Sequence, residues 1–233
     1  MSQTGILKSF LRLIYSHRCY ACERELISQE EHICFSCLSQ IPETNFHLSP
    51  RENEFYYRLG GRVKLEGATA LFYFDKKGKL QSLMEALKYK SAPQLGRFLG
   101  RYYAHRLKHE EWMEEIQAIV PIPLHFRKKV ERGYNQAEEI AAGLGEILCK
   151  PLRKEFLKRV RYTRTQTRMG GRNRWENVRG AFKAGKSLAG PILLVDDVLT
   201  TGATFEAAMQ ALLLEESELK IYSLSIGITR KHG

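Results

Sequence analysis

Two adjacent carboxylates stand beside a loop of small and hydroxyl-bearing residues near the end of this 233-residue chain. The stretch ILLVDDVLTTGAT, residues 192–204, runs from four apolar residues through Asp196 and Asp197 into the loop. The apolar run predicts a buried parallel strand over 191–195, and the residues after the loop predict a helix over about 203–214. Free N–H groups in such a loop, together with the N-terminus of the helix, favour an anion.

The side chains of this strand–loop–helix unit fit a phosphorylated sugar. Five loop residues suit a phosphate monoester, because threonine hydroxyls donate hydrogen bonds, glycine allows close approach and alanine adds no bulk. They are Thr200, Thr201, Gly202, Ala203 and Thr204. The carboxylates of Asp196 and Asp197 can accept two vicinal hydroxyl hydrogens or hold a hydrated Mg²⁺. A ribose 5-phosphate satisfies both halves, and the alternative is an acidic cap on an ordinary helix, which needs one carboxylate only.

Four of the five cysteines form two C-x-x-C pairs, CYAC and CFSC, with eleven residues between them. Two such pairs complete a closed tetrahedral shell of thiolates around Zn²⁺, which would make the metal structural. Disulfides and a redox C-x-x-C are the alternatives, disfavoured by the lack of an export signal and of a strand–helix context. The predicted ligands are Cys19, Cys22, Cys34 and Cys37.

The composition is that of a basic globular protein. A net charge of +11 favours polyanionic partners, whether nucleic acid, anionic lipid or a phosphorylated metabolite, and does not choose among them. No apolar stretch reaches the roughly 18 residues of a membrane span. Apolar residues at helical spacing over 6–14 predict a short amphipathic helix that docks on the core or touches a membrane surface. We expect a cytoplasmic protein.

Alternating strand and helix patterns predict an α/β core with a mainly parallel sheet. Strand and helix patterns are read, in order, over TALFYFDKKGKLQSLMEALKYK, LGRFLGRYYAHRLKHEEW, AIVPIPL, GYNQAEEIAAGLGEILCK, LRKEFLKRV and about 219–228. A polar, proline-containing linker is predicted near 41–54. The expected domains are a Cys₄ module with an N-terminal helix over 1–45 and the α/β domain over 46–233.

The stretch GAFKAGKS, residues 180–187, matches the P-loop pattern G-x-x-x-x-G-K-S. A P-loop requires a strand before it and a helix after it, whose N-terminus binds the phosphates. Here a polar segment precedes the match, and Gly190-Pro191 and a strand follow it almost at once. We therefore interpret it as a polar turn.

The wider arrangement of motifs resembles one protein family. VDDVLTTGAT resembles the PRPP-binding motif of type I phosphoribosyltransferases. The Cys₄ module, VPIPLHFRKKVERGYNQA, TRTQTRMGGRNRWENVRGAF and that motif follow each other in the order typical of the ComF (ComFC) competence family, and the resemblance covers nearly the whole chain. It implies a type I phosphoribosyltransferase fold, a mainly parallel sheet with flanking helices, behind an N-terminal Cys₄ zinc finger.

The same resemblance implies a link to natural transformation and DNA uptake. The implied partners are PRPP, single-stranded DNA and the competence DNA-uptake machinery, including its helicase, at the inner membrane. The location implied is the cytoplasm, or a peripheral position at the inner membrane.

The resemblance also implies roles for individual residues. The 5-phosphate of Mg²⁺-PRPP would bind the loop over 200–204, and the ribose hydroxyls would bind Asp196 and Asp197. A second loop would hold the pyrophosphate; the candidates are the basic residues before the helix that begins near Asn135, with Arg132 first. The alternative is a solvated basic turn. These candidates are Arg127, Lys128, Lys129 and Arg132.

Another basic segment, residues 153–179, holds ten Lys or Arg residues against two acids. It corresponds to the mobile loop that closes over PRPP in the enzymes that the chain resembles. A nucleic-acid arm with Tyr162 and Trp175 as stacking residues is the rival interpretation, and inert surface is the third.

The function expected from the whole is transfer of 5-phosphoribosyl from PRPP to an unknown acceptor, with Mg²⁺ assisting. The alternative is a non-catalytic DNA-uptake accessory protein that binds single-stranded DNA or nucleotide. The sequence reveals neither the acceptor nor a general base.

Overall fold

The computed structural model describes residues 18–161, 180–185 and 190–230. The strands are β1 Gly67–Phe74, β2 Ala118–Pro121, β3 Leu157–Arg159, β4 Phe182–Ala184, β5 Ile192–Leu199 and β6 Ile221–Thr229. The helices are α1 Phe35–Ser39, α2 Glu54–Leu59, α3 Lys79–Tyr89, α4 Pro93–Leu107, α5 Glu111–Glu115, α6 Phe126–Arg132, α7 Gln136–Leu148 and α8 Ala203–Glu215. Short 3-10 turns lie at Phe46–Leu48 and Lys154–Phe156. None of the described helices has the length and apolar character to cross a membrane.

Four parallel strands form the main sheet in the order β1-β6-β5-β2, while β3 and β4 pair antiparallel in a separate two-stranded sheet. β1, β5 and β6 are buried along most of their length, because their apolar side chains serve both faces. The predicted α/β class, a mainly parallel sheet with flanking helices, is confirmed by this topology.

Two hydrophobic clusters fill the space on the two sides of the sheet. α3, α4 and α7 cover one face, and α2 and α8 cover the other, where the rings of Phe55 and Phe205 lie edge to face at 5.2 Å. α4 and α7 approach each other closely at glycines. A Cβ atom on Gly100 would lie 2.2 Å from the carbonyl oxygen of Ile140, so this crossing requires glycine.

The segment predicted as a linker near 41–54 is packed against the sheet, so that prediction was wrong. His47 and Asn53 are buried, and Asn53 Nδ2 donates to the carbonyl oxygen of Ala68 in β1 at 2.8 Å. Polar side chains here satisfy the main chain at the edge of β1. Composition alone predicts a solvated loop because it cannot reveal that pairing.

β5 continues to Leu199, beyond the predicted end at residue 195. β6 runs alongside it and pairs Asp196 with Ser225, so the backbone ladder extends through the two acids. The acids therefore lie within the strand and not in the loop after it. The predicted helix start near Asn135 is confirmed, since Asn135 caps α7 by accepting from Ala137 N at 3.1 Å.

Candidate functional site

Asp196 and Asp197 lie in the second half of β5, towards the carboxyl edge of the sheet. Main-chain groups orient both side chains. The N–H of Asp197 donates to Asp196 Oδ1 at 2.8 Å, and the N–H of Val198 donates to Asp197 Oδ1 at 2.7 Å. The backbone therefore fixes both carboxylates in the ligand-free protein.

The carboxylate of Asp196 differs from an ordinary surface acid in its protonation. Burial and the charge of Asp197 raise the pKa of Asp196 to about 7, because both disfavour the ionised form. The charges of Lys88 and Arg159 oppose this shift without cancelling it. Asp196 consequently changes protonation near neutral pH, as groups at functional sites often do.

Lys88, in the last turn of α3, reaches the acid pair from another element. Its Nζ lies 2.7 Å from Asp197 Oδ2, and the two side chains are 26% and 14% exposed. Burial lowers the pKa of Lys88, but the charges of Asp197 and Asp196 outweigh burial and raise it overall. Lys88 is therefore a cation at neutral pH. Sequence reasoning missed it, because nothing in LKYK shows which lysine faces a distant strand.

The loop after β5 turns sharply into α8. Gly202 has a φ of +85°, and a Cβ atom there would lie 2.6 Å from Leu59 Cδ2, so conformation and space both require glycine. The N–H of Ala203 lies 3.5 Å from Thr201 Oγ1, which accepts its hydrogen bond. The first turn of α8 thus presents its N–H groups where the sequence predicts an anion.

Two arginines hold this loop from the opposite side. Arg58 donates from Nη1 to the carbonyl oxygen of Thr200 at 2.7 Å and from Nη2 to that of Thr229 at 2.6 Å. Glu54 forms an ion pair with the same guanidinium. Arg62 donates to the next loop carbonyl, on Thr201, at 3.2 Å. The segment around α2 therefore braces the loop, a role that the sequence did not reveal.

α6 carries the predicted basic residues that follow β2. Burial and the charges of Arg159 and Arg132 lower the pKa of Lys128. Arg132 donates to Gln136 Oε1 at 2.9 Å, and its guanidinium lies 5.6 Å from the ring centre of Tyr89. The basic residues therefore belong to a helix of their own, where the sequence predicted a pyrophosphate-binding loop, with a solvated basic turn as the alternative.

Cations from two distant elements act on the acid pair, and α6 adds positive charge close to those cations. The charge of Arg132 acts on Lys88, that of Lys88 acts on Lys128, and that of Arg159 acts on Asp196. Among the described residues, Lys88 and Arg159 therefore act on the acid pair itself, and Lys128 and Arg132 are electrostatic neighbours of these two cations. An excess of positive charge beside oriented carboxylates suits a ligand that carries both phosphates and hydroxyl groups.

The four paired cysteines form a compact cluster. Their sulfur atoms lie within 4.8 Å of one another, and the described cysteines are free of disulfides. Main-chain N–H groups donate to the sulfurs, at 3.3 Å from Cys34 to Cys19 and at 3.4 Å from Cys37 to Cys34. Four sulfur ligands in such a group could hold a zinc ion.

The cysteine module packs against α4. The ring of His32 contacts that of Phe98 edge to face at 5.6 Å, and Arg101 forms an ion pair with Glu31 at 3.2 Å. His32 therefore packs beside the cluster. The predicted boundary between the two domains, near residue 45, stays a prediction.

Several predicted features fall outside the described residues: the helix over 6–14, residues 162–179 of the basic segment, and Lys186-Ser187 of GAFKAGKS. Residues 182–184 of that stretch are described, and they form β4, paired with β3. A strand in this position is not the phosphate-binding loop that the P-loop pattern requires.

No family model matches this chain. An orotate phosphoribosyltransferase from Aeropyrum pernix is a similar solved structure, with 16% identity over 75% of this chain and 81% of that chain and a TM-score of 0.35. The class of protein, a parallel α/β fold with an acid pair and cations at the carboxyl edge, rests on the topology and geometry above.

Proteins that are similar in sequence give more specific information than the solved structure does. Competence protein F of Haemophilus influenzae is 27% identical over 228 residues, which cover 91% of this chain and 97% of that protein. DNA utilization protein YhgH of Escherichia coli is 30% identical over 146 residues, which cover 58% of this chain and 61% of that protein. The resemblance to the ComF competence family that the motifs predict is confirmed by these similarities.

Proposed function

We propose that this chain binds PRPP with Mg²⁺ at the carboxyl edge of its sheet and transfers the 5-phosphoribosyl group to an acceptor. The observation that carries the proposal is the meeting of three features there: the oriented acid pair, the N-terminus of α8 and the ammonium group of Lys88 beside Asp197. The names of the relatives, which concern competence and DNA utilization, support a role in natural transformation and DNA uptake.

Each part of the ligand has a matching part of the site in this proposal. The 5-phosphate takes the loop over 200–204, the ribose hydroxyls take Asp196 and Asp197, and the diphosphate takes Lys128 and Arg132. Carboxylate oxygens suit Mg²⁺, which would neutralise charge on the departing diphosphate. The braced loop and the oriented acids would position the ribose without rearrangement of the main chain.

The cysteine cluster completes the proposal as a structural centre. Cys19, Cys22, Cys34 and Cys37 would hold one Zn²⁺ with no open coordination position, so the metal would take no part in the transfer. The proposed domains are the Cys₄ module over 1–45 and the α/β domain over 46–233.

Release of pyrophosphate from Mg²⁺-PRPP tests the transfer. The parent protein, offered a panel of nucleobases and amines, should release pyrophosphate with at least one acceptor, and Asp197→Asn should release far less. Glu218→Gln is the matched control, because Glu218 is exposed and lies at the other end of the sheet, before β6. Equal release by the parent and Asp197→Asn would remove the acid pair from the reaction.

A second candidate is a non-catalytic accessory protein that binds single-stranded DNA beside the DNA-uptake machinery and its helicase at the inner membrane. The observation that favours it is on α6, where Phe126 and Val130 are 75% and 65% exposed among basic side chains. An exposed aromatic ring among cations suits stacking with nucleobases.

DNA binding in the absence of turnover would favour this second candidate. Phe126→Ser should weaken single-stranded DNA binding, and a loss of arginines from 162–179 should flatten its salt dependence. If the parent protein binds DNA but releases pyrophosphate with no acceptor, the accessory function stands in place of the transferase.

A further inference from the structure

Lys88 occupies a position that the PRPP motif does not account for. Its ammonium group contacts Asp197 Oδ2 at 2.7 Å, at the carboxylate where a divalent metal ion would otherwise bind. The side chain of Asp197 is only 14% exposed, so little water is available to screen an approaching cation.

We propose that Lys88 prevents free divalent metal ions from binding to Asp197. When a metal–PRPP complex binds, the side chain of Lys88 turns from Asp197 to the diphosphate oxygens. The first half of this role concerns the ligand-free protein alone. The second half rests on the proposed function.

The exclusion of free metal follows from like charge. A metal ion that approaches Asp197 must displace or face the ammonium group of Lys88, and Arg132 adds positive charge on the same side. Repulsion between cations is several times stronger in a partly buried site than in water. Breaking the ion pair would also leave a partly buried charge without its partner.

The position of Lys88 is fixed by the main chain beside it. The carbonyl oxygen of Leu87 accepts hydrogen bonds from Tyr134 and, at 3.3 Å, from Gln136 Nε2. The end of α3 is therefore bound to the segment that joins α6 and α7. Lys88 consequently contacts Asp197 and lies within electrostatic reach of Lys128 and Arg132, the proposed diphosphate residues.

The change of partner by the Lys88 side chain depends on whether the ligand supplies a new acceptor for its ammonium group. A bare metal ion brings no acceptor for the displaced ammonium group, so the ion pair is lost without compensation. A metal–PRPP complex brings diphosphate oxygens to the side where Lys128 and Arg132 lie. The flexible lysine side chain can turn to those oxygens, which restores a charged partner.

Titration with Mn²⁺ alone tests the exclusion, with calorimetry or electron paramagnetic resonance as the readout. In Lys88→Met, Mn²⁺ should bind at Asp197, in addition to any metal at the cysteine cluster. The affinity of this site for Mn²⁺ should be at least about tenfold higher than in the parent. Lys88→Arg, which keeps the charge, should behave as the parent does. Lys90→Met is the matched control, because Lys90 lies two residues away and pairs with Glu23 at 3.5 Å.

The double variant Lys88→Met/Asp197→Asn identifies the site. It should lose the additional Mn²⁺, whereas binding at the cysteine cluster would be common to all variants. An unchanged titration for folded Lys88→Met, or additional binding that persists in the double variant, would overturn the proposal. Lys88→Gln gives the same reading if Lys88→Met does not fold.

Titration with Mg²⁺-PRPP tests the change of partner separately. Lys88→Met should bind the complex about tenfold more weakly than the parent, and Lys90→Met should bind it equally well. If the parent binds no PRPP, the proposed function fails while the Mn²⁺ result still decides the exclusion. If Lys88→Met binds Mg²⁺-PRPP as the parent does, the change of partner by Lys88 is wrong.

Discussion

The chain contains two clusters of acidic groups that are neutralised in different ways. The four cysteines lie within one short stretch, and their sulfurs form a group that could hold a zinc ion. Asp196 and Asp197 instead face cations from distant elements, with Lys88 in direct contact. The proposed zinc ion would thus complete the first cluster, whereas the second already has its counter-charges.

This difference separates a centre for stability from a centre for binding. A zinc ion bound by the four sulfurs would couple the folding of the module to metal binding. An acid pair with internal cations can exist alone and exchange those partners for a ligand.

Cys22→Ser should abolish metal binding at the cysteine cluster. A three-sulfur set cannot complete the closed tetrahedral shell, so zinc content should fall from one per chain to nearly none. Elemental analysis of freshly purified, reduced protein measures this content, and a melting curve reports the loosened module. Cys149→Ser is the matched control, because Cys149 is exposed and outside the cluster. A parent protein without zinc would contradict the contrast between the cysteine cluster and the acid pair.

Arg58→Met, which removes the contacts that hold the loop over 200–204, should destabilise the protein more than any single change to a surface charge. Arg58 is 5% exposed and holds Thr200 and Thr229, so its loss should lower the free energy of unfolding by about 3 kcal/mol. Arg62→Met, at a half-exposed side chain, should cost less than about 1 kcal/mol. Urea unfolding of the two variants measures the difference. Equal costs would mean that α2 does not brace the loop.

The acid pair should give PRPP binding a pH dependence near neutrality. Because the pKa of Asp196 is raised to about 7, more of it is ionised at about pH 8 than at about pH 6. Ribose hydroxyls donate to the ionised form, so affinity for PRPP should rise across this interval. Calorimetry at the two pH values checks it, and flat or falling affinity would contradict the role of Asp196.

Stability should follow the opposite direction with pH. The folded pKa of Asp196 lies above its unfolded value of about 4. Its contribution is therefore full below about pH 4 and is lost as pH rises through about 7. Asp196→Asn, which cannot ionise, should gain stability relative to the parent between about pH 6 and about pH 8. Melting curves of both proteins at each pH would show no such gain if Asp196 titrated normally.

Lys186→Ala should have the smallest effect. The neighbouring residues 182–184 form a strand and β5 follows soon after, so GAFKAGKS does not have the arrangement of a phosphate-binding loop. PRPP and nucleotide affinities should change by less than about twofold. A loss beyond about tenfold, or roughly 1.4 kcal/mol, would reveal a third phosphate site.

The sequence predicts the parts of these sites that lie close together in the chain. The cysteine pairs and the 200–204 loop were recognisable because their ligands and turns are set by local spacing. Lys88 and Arg58 were not, since each reaches a partner more than a hundred residues away. Only the order of the strands and the packing of helices on them bring such residues together.

The wrong predictions have a related cause. The stretch 41–54 has the composition of a linker, but Asn53 satisfies the main chain of β1. β5 was predicted to end at residue 195, where the apolar run ends, yet its ladder with β6 extends to Leu199. In both cases a partner distant in sequence supplies what the local composition lacks.

Calorimetric titration of the Asp196→Asn/Asp197→Asn variant with Mg²⁺-PRPP measures directly whether the acid pair binds PRPP. The double change keeps the shape of the acid pair but removes its charge and its capacity to accept from ribose hydroxyls and hydrated metal. PRPP affinity should fall by at least about a hundredfold, and single-stranded DNA affinity should stay equal or rise slightly. Undiminished binding of PRPP would show that the acid pair is structural, and the transferase proposal would fall with it.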